Sequence, residues 1–242
     1  MKKICVTGSA GYIGSEVMFR LRMMGFKPSG FDKTNKRLPE ADITIHLASN
    51  IYGTKKEDFI DEIDLSRRVI KNTKQKIIFT SSAAVYGDSN RPNTEDQELT
   101  PINEYGKAKA LIEYMIKSGF NGDYSILRLG NVYSKDATHG LVSNILKGET
   151  IRYNNGKGIR DYVHLHDVVT VIIEAALTNK WKGIYNISTG KGTLTKHIHR
   201  RLLNPDLVGT NKKWILRKKI EIKKSVLDIS KAKKNNFKPF TI

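Results

Sequence analysis

The apolar positions of the chain follow two alternating patterns. Residues 2–7, KKICVT, form a short apolar run that gives way to GSAGYIG, and SEVMFRLRMMG then carries apolar residues at helical spacing before a terminating glycine. KPSGFD predicts a second short strand ending at Asp32, and ADITIHLAS a third built from β-branched residues. A helical stretch follows from about Lys55 to Asn72. After it come the strand KIIFTSS at 76–82, a helix from about Glu104 to Lys117 and the strand YSILRLG at 124–130. HDVVTVIIEAAL predicts another helix and GIYNIS one more strand. Six strands alternating with helices imply an α/β protein with a parallel sheet covered on both faces, because parallel neighbours need crossover connections.

Residues 132–157 and 190–242 fit that alternation poorly. Ligands of doubly wound sheets bind beyond the carboxyl ends of the strands, so these segments are expected to build a small, mainly C-terminal substrate lobe there, with 1–131 and 158–189 as the nucleotide-binding part. No repeat, low-complexity tract or flexible linker divides the chain into independently folding domains.

Composition changes this picture little. With 39% hydrophobic residues and 8% aromatics over 242 residues, the chain reads as an ordinary globular protein. No apolar stretch approaches the roughly 20 residues that cross a bilayer, and the opening MKKICVTGSAG does not have the form of a signal peptide. The single cysteine, Cys5, has no partner for an intramolecular disulfide, which suits a reducing cytoplasm. A net charge of +18 favours nucleic acid, anionic membranes and polyanionic substrates alike. Much of the excess lies in KKWILRKKIEIKK and SKAKKNNFK, where lysines alternate with apolar positions as on the solvated face of folded elements.

Candidate chemistry begins at the first turn. Gly8, Gly11 and Gly14 sit between a strand and a helix, where missing side chains permit a tight turn, close approach to a pyrophosphate and dense helix packing. The helix amino terminus adds donor N–H groups and a favourable dipole. Asp32 stands eighteen residues after Gly14, as expected for a carboxylate that hydrogen-bonds an adenosine ribose. A Rossmann-type doubly wound sheet binding a dinucleotide is the fold these features specify. Asp32 favours NAD by repelling a 2′-phosphate, while Lys33, Lys36 and Arg37 can bind that phosphate instead, which leaves NADP open.

Tyr105 and Lys109, in EYGKAKA, are four apart on a predicted helix and project from one face. An isolated tyrosine has a pKa of about 10, and a nearby ammonium stabilises its phenolate, so the pair can serve as a base. The spacing alone also suits an ordinary surface helix. It gains meaning from FTSSAAVYG, which brings Ser82 to the carboxyl edge of the sheet. His46, His164 and His166 read as structural histidines, Trp181 and Trp214 as packing residues, and no metal site is expected.

The Gly-x-x-Gly-x-x-Gly spacing, together with HLAS at 46–49, FTSSAAVYG, EYGKAKA, RLGNVY at 128–133, RDYVHLHDV at 160–168 and LDISKAKKNNFKP at 227–239, resembles the extended short-chain dehydrogenases that epimerise, dehydrate or reduce nucleotide sugars. The resemblance runs nearly end to end. It implies Tyr105 as acid/base on a sugar hydroxyl, Lys109 as the group that tunes it and holds the nicotinamide ribose, and Ser82 as the hydroxyl's second partner. It adds Tyr12, Ile13, Lys33, Leu47, Ala48, Ser49 and Ser81 to the cofactor site. Asn131 and Arg160 match positions on the nucleotide diphosphate, Tyr153 a position against the base, and Lys218 lies near where relatives carry a diphosphate-binding arginine. A homodimer is implied as well.

Related 4,6-dehydratases carry an acidic pair just after the serine position, and decarboxylating relatives a glutamate; here Ala83 and Ala84 follow Ser82. Redox at carbon 4 of a UDP-, GDP- or dTDP-linked hexose is the expectation, with NAD-dependent 4-epimerisation first. A 4-ketoreductase is the alternative, because few residues separate Asp32 from ADITIHLAS, too few for the further strand and helix that cap the adenine in relatives. A third reading, a cofactor-responsive or nucleic-acid-binding module, has only the net charge in its favour.

Overall fold

The computed structural model describes residues 2–35, 37–134, 150–152, 158–195, 197, 214–216 and 222–240. The six expected strands form one parallel sheet. β1 (Ile4–Thr7), β2 (Ser29–Phe31), β3 (Ala41–His46), β4 (Thr73–Ser82), β5 (Asp123–Leu129) and β9 (Gly183–Ile187) lie in the order β2-β1-β3-β4-β5-β9. The chain steps from β1 to one side for β2 and to the other for β3, so the topological switch lies at the carboxyl ends of β1 and β3. β2 is the edge, and no described strand lies beyond it.

Alternation along each strand divides the core between two helical layers. Ile4, Val6, Ile45, Ile78 and Leu127 face α1 (Tyr12–Met23) and α4 (Leu165–Leu177), packing with Val17, Leu21, Val168 and Ile172. Cys5, Ile77, Phe79 and Ile126 face α2 (Ile60–Asn72) and α3 (Glu104–Gly119), packing with Val69, Ile112 and Ile116. Each such fully buried aliphatic side chain contributes about 1.5–3 kcal/mol relative to exposure. α1 ends where Gly25 takes φ +85° and its N–H bonds Arg22 O at 2.9 Å. Trp181 is a packing residue: it is buried against Tyr185 and Phe237, with Nε1 donating to Glu174 at 2.9 Å. The side chain of Trp214 lies outside the described residues.

A second, small sheet sits at the carboxyl end. β8 (Ile159–His164) pairs with β6 (Asn131–Tyr133), β10 (Gly192–Leu194) and β12 (Lys224–Ser225); β7 (Thr150–Arg152) and β11 (Trp214–Leu216) form a separate two-stranded sheet. Asp161 ties the sheet of β8 to the main one. Its carboxylate accepts from Thr189 N and Oγ1, Gly190 N and Leu227 N. The short α5 (Ser230–Lys234) packs on β9. No helix among the described residues is long and apolar enough to cross a membrane.

Candidate active site

The glycine loop is built by close approach of backbone to backbone. Gly8 has φ +69°, and a Cβ there would meet Ala48 N at 2.8 Å. A Cβ on buried Gly14 would meet Gly8 O at 2.0 Å, so only glycine lets α1 start this close to β1. Gly11 is the N-cap of α1, where no side chain caps the first turn and no acidic residue occupies it. The helix therefore presents donors and positive dipole to whatever lies before it. Asp32 follows β2 and closes on the same loop, accepting from Ser9 Oγ and from Ala10 N at 3.2 Å. Lys33 is exposed in the turn beyond it, and Lys36 lies outside the described residues. Tyr12 and Ile13 are half-buried in the first turn of α1, and Tyr12 OH donates to Ser134 Oγ at 2.7 Å.

Leu47, Ala48 and Ser49 run beside this loop. Leu47 N donates to Thr7 O at 3.2 Å and Ala48 N to Thr7 Oγ1 at 3.3 Å. Behind them His46 is wholly buried, with Nδ1 2.7 Å from Thr7 Oγ1 and Nε2 2.9 Å from Ser66 Oγ. Burial, helped by the Lys109 charge, pushes its pKa down to about 3, so it is a neutral structural residue. His164 caps α4, accepting from His166 N at 3.2 Å.

Tyr105 and Lys109 stand on α3 at the carboxyl ends of β3 and β4. Asn103 caps the helix, accepting from Gly106 N at 2.7 Å. A Cβ on Gly106 would meet Ala84 O at 2.5 Å, so this glycine lets the start of α3 lie against the turn that follows Ser82. Ser82 ends β4 and caps that turn by accepting from Ala84 N at 3.2 Å. Tyr105 is half-buried, its ring 6.2 Å from that of Phe59. Lys109 Nζ sits 5.8 Å from the Tyr105 ring centroid and 4.8 Å from that of Phe79, donating to Thr80 O at 3.1 Å. Its nearest charge is Glu62, with Oε1 at 3.0 Å. Burial works against the ammonium, yet Glu62, aided by Tyr105 and Glu113, holds its pKa above the ordinary lysine value.

Behind this pair lies a buried polar chain. Ser81 donates to Glu113, which grips Arg128 through Nε at 3.0 Å and Nη2 at 2.7 Å. Arg128 Nη1 donates to Tyr86 OH at 2.8 Å, and Tyr86 donates to Asn186 Oδ1 at 2.6 Å. The Ser81 hydroxyl is thus turned inwards. Asn131 is exposed on β6, and Arg160 on β8 donates from Nη1 to Ile159 O at 3.0 Å. Tyr153 and Lys218 lie outside the described residues.

Glu62, Glu113 and Arg128 escape a reading by residue type. Their signal is positional: Glu62 falls in the buried stripe Phe59, Glu62, Ser66, Val69, and Glu113 between Ile112 and Ile116. A carboxylate inside an apolar stripe needs a buried partner. Among the described residues no group of three or more His, Cys, Asp or Glu is arranged to hold a metal ion.

Residues 4–188 match the model of the NAD dependent epimerase/dehydratase family. The chain is 26% identical to UDP-arabinose 4-epimerase 1 of Arabidopsis thaliana, over 80% of this chain and 64% of that one. It is 24% identical to UDP-glucose 4-epimerase 2 of rice, over 80% and 67%. It therefore spans about two thirds of the length of these plant relatives. The fold is similar to that of UDP-glucose 4-epimerase from Thermotoga maritima, solved with UDP-glucose, with a TM-score of 0.76, 25% identity and coverage of 99% of this chain and 94% of that one. UDP-glucose 4-epimerase from Thermus thermophilus, solved with NAD, has the same fold, with a TM-score of 0.81 at 21% identity and the same coverage.

Proposed function

The chain belongs to the NAD dependent epimerase/dehydratase family, and on that premise we propose that it is an NAD-dependent epimerase acting at carbon 4 of the hexose of a nucleotide-diphosphate sugar. The observation that carries the reading is the half-buried Tyr105 beside the Lys109 ammonium, at the same end of the sheet as an uncapped helix amino terminus.

The residues present fit the dinucleotide. The glycine loop packs so closely that a Cβ on Gly8 or Gly14 would meet backbone, the first turn of α1 carries no side-chain cap where a pyrophosphate would sit, and Asp32 follows β2 on the side of the adenosine ribose. Gly8, Gly11, Tyr12, Ile13 and Gly14 would line the pyrophosphate side, Asp32 and Lys33 the adenosine side, and Leu47, Ala48 and Ser49 the inner wall. Bound there, NAD supplies a reversible hydride acceptor for carbon 4.

Tyr105 takes the proton of the 4-hydroxyl, Ser82 hydrogen-bonds the same oxygen, and Lys109 stabilises the phenolate. With NAD bound, the hydride would go back to the opposite face of carbon 4 in the turned 4-keto sugar, and Tyr105 returns its proton to the carbon-4 oxygen, which leaves no net redox change. Arg160 and Asn131 are assigned to the diphosphate; a guanidinium suits this task because its fork gives paired, charge-assisted bonds. A UDP-sugar is the first choice of substrate, given the names of the relatives, with GDP- and dTDP-sugars next. The single, buried Cys5 supports a cytoplasmic setting.

The purified chain, supplied with NAD and a panel of UDP-, GDP- and dTDP-hexoses, is expected to interconvert one of them with its 4-epimer without added reductant. Failure across the panel overturns the reading. One observation favours a second: among the described residues no strand lies beyond β2, beside Asp32, which fits the exchangeable cofactor that a 4-ketoreductase requires. NAD(P)H consumption only when a 4-keto sugar is supplied, with no nucleotide retained through purification, would decide for it.

A further inference from the structure

Lys109 is held by more than its own helix. Its Nζ lies 3.0 Å from Glu62 Oε1, and both side chains are buried, at 2% and 4% exposure for Lys109 and Glu62. The other oxygen of Glu62 reaches away from the lysine: Oε2 accepts from Ser49 Oγ at 3.1 Å and from Asn50 N at 2.9 Å. One carboxylate on α2 therefore connects the segment after β3, assigned to the cofactor, with the ammonium on α3, assigned to catalysis.

We propose that Glu62 is a positioning residue, whose carboxylate keeps the Lys109 ammonium charged and fixed beside Tyr105 while anchoring the cofactor-side segment Ser49–Asn50. The inference rests on the reading of Tyr105 and Lys109 as the catalytic pair. Its physical basis is the cost of burying an ammonium, which is several kcal/mol unless a counter-charge is adjacent. The charged and titratable groups around Lys109 make Glu62 the one that can meet it. His46 on β3 is neutral, and Glu113 on α3 is engaged bidentately by Arg128 from β5, while Tyr105 presents its ring to the ammonium. The effects of burial and of Glu62 on the lysine oppose one another, and the net direction is toward the charged form. Glu62 itself is held below the usual carboxylate range: burial opposes that, but the Lys109 charge and the Asn50 N–H outweigh it.

The full chain, labelled with 13C at lysine Cε, reports the Lys109 proton directly, its resonance assigned against Lys109→Met. In the wild-type protein the midpoint is expected above the ordinary lysine value of about 10.4. In Glu62→Gln, which keeps an oxygen for Asn50 N but removes the charge, the midpoint is expected to fall by about two units or more. Turnover should then decline as pH rises through that new midpoint, with KM for the sugar within about two-fold of wild type. Glu62→Asp, which keeps the charge, should retain the wild-type pH profile. A Lys109 midpoint that does not fall in Glu62→Gln, or a loss of turnover equal at every pH, overturns the proposal.

Should Glu62→Gln not fold, the doubly neutral Glu62→Gln/Lys109→Met variant takes its place. It is expected to fold because it leaves no unpaired buried charge, and its failure overturns the ion-pair basis. The resonance needs neither sugar nor cofactor. A wild-type chain that turns over no sugar therefore counts against the functional reading, whereas an unmoved midpoint counts against Glu62.

Discussion

At the scale of single residues, Tyr105 and His46 each make a prediction. On the proposed reading Tyr105 is the group whose proton moves, so Tyr105→Phe should lower turnover by about 10²–10⁴-fold while leaving NAD binding intact, as measured by steady-state assay and by NAD titration. Undiminished turnover would remove Tyr105 from the reaction. His46 is depressed from 6.5 to about 3 by burial, so the folded state refuses a proton that the unfolded chain accepts below pH 6.5. Its contribution to stability is complete above pH 6.5 and is lost as pH falls from there toward 3. The urea midpoint should accordingly drop between pH 7 and pH 4, and drop less in His46→Gln. An identical slope in the variant would show that another group carries the acid sensitivity.

Among secondary-structure elements, the glycine turn and α1 act as one part. Gly14→Ala places a Cβ 2.0 Å from Gly8 O, backbone against backbone, so α1 must retreat from β1. The expected result is a loss of about 1–3 kcal/mol in urea unfolding and at least about ten-fold weaker NAD binding by titration. Unchanged affinity would mean that the loop is not the pyrophosphate site. This turn was legible in the sequence because its chemistry is local: three glycines, a strand before and a helix after. The six sheet strands were legible too, most as apolar runs and β2, which reads SGF with only Phe31 buried, by its place before Asp32. The second sheet was not. β10 and β12 span three and two residues, too short for a period to register, and β8 reads IRDYVH, with a charged pair near its start. Glu62 was hidden for a related reason: a glutamate in a helix reads as solvated until α3 brings Lys109 against it.

At the scale of the whole molecule, an apolar face exposed among the described residues is where the homodimer expected from the resemblance would pack. Ile60 on α2 and Leu111 and Tyr114 on α3 are exposed at 53%, 43% and 66%, an apolar surface on the paired helices that flank the site. We infer a homodimer through these helices. Sedimentation should give about twice 27.4 kDa for the wild type and 27.4 kDa for Leu111→Asp/Tyr114→Lys; a wild-type species at 27.4 kDa rules the pairing out. The net charge of +18 needs no nucleic-acid partner on this view, since a substrate carrying a diphosphate is itself drawn by positive potential.

The buried chain that ends at Asn186 continues into a segment far along the sequence. Asn186 Nδ2 donates to Asn93 O at 2.8 Å and to Asp228 O at 3.0 Å, while Asn93 N donates to Val226 O at 2.8 Å. These bonds join residues 42 to 133 positions apart, so closing them costs loop entropy that shorter-range contacts do not. The polar chain behind Tyr105 and Lys109 is therefore completed from residues 226–228, and a substitution there is able to loosen the carboxyl end of the sheet without touching it.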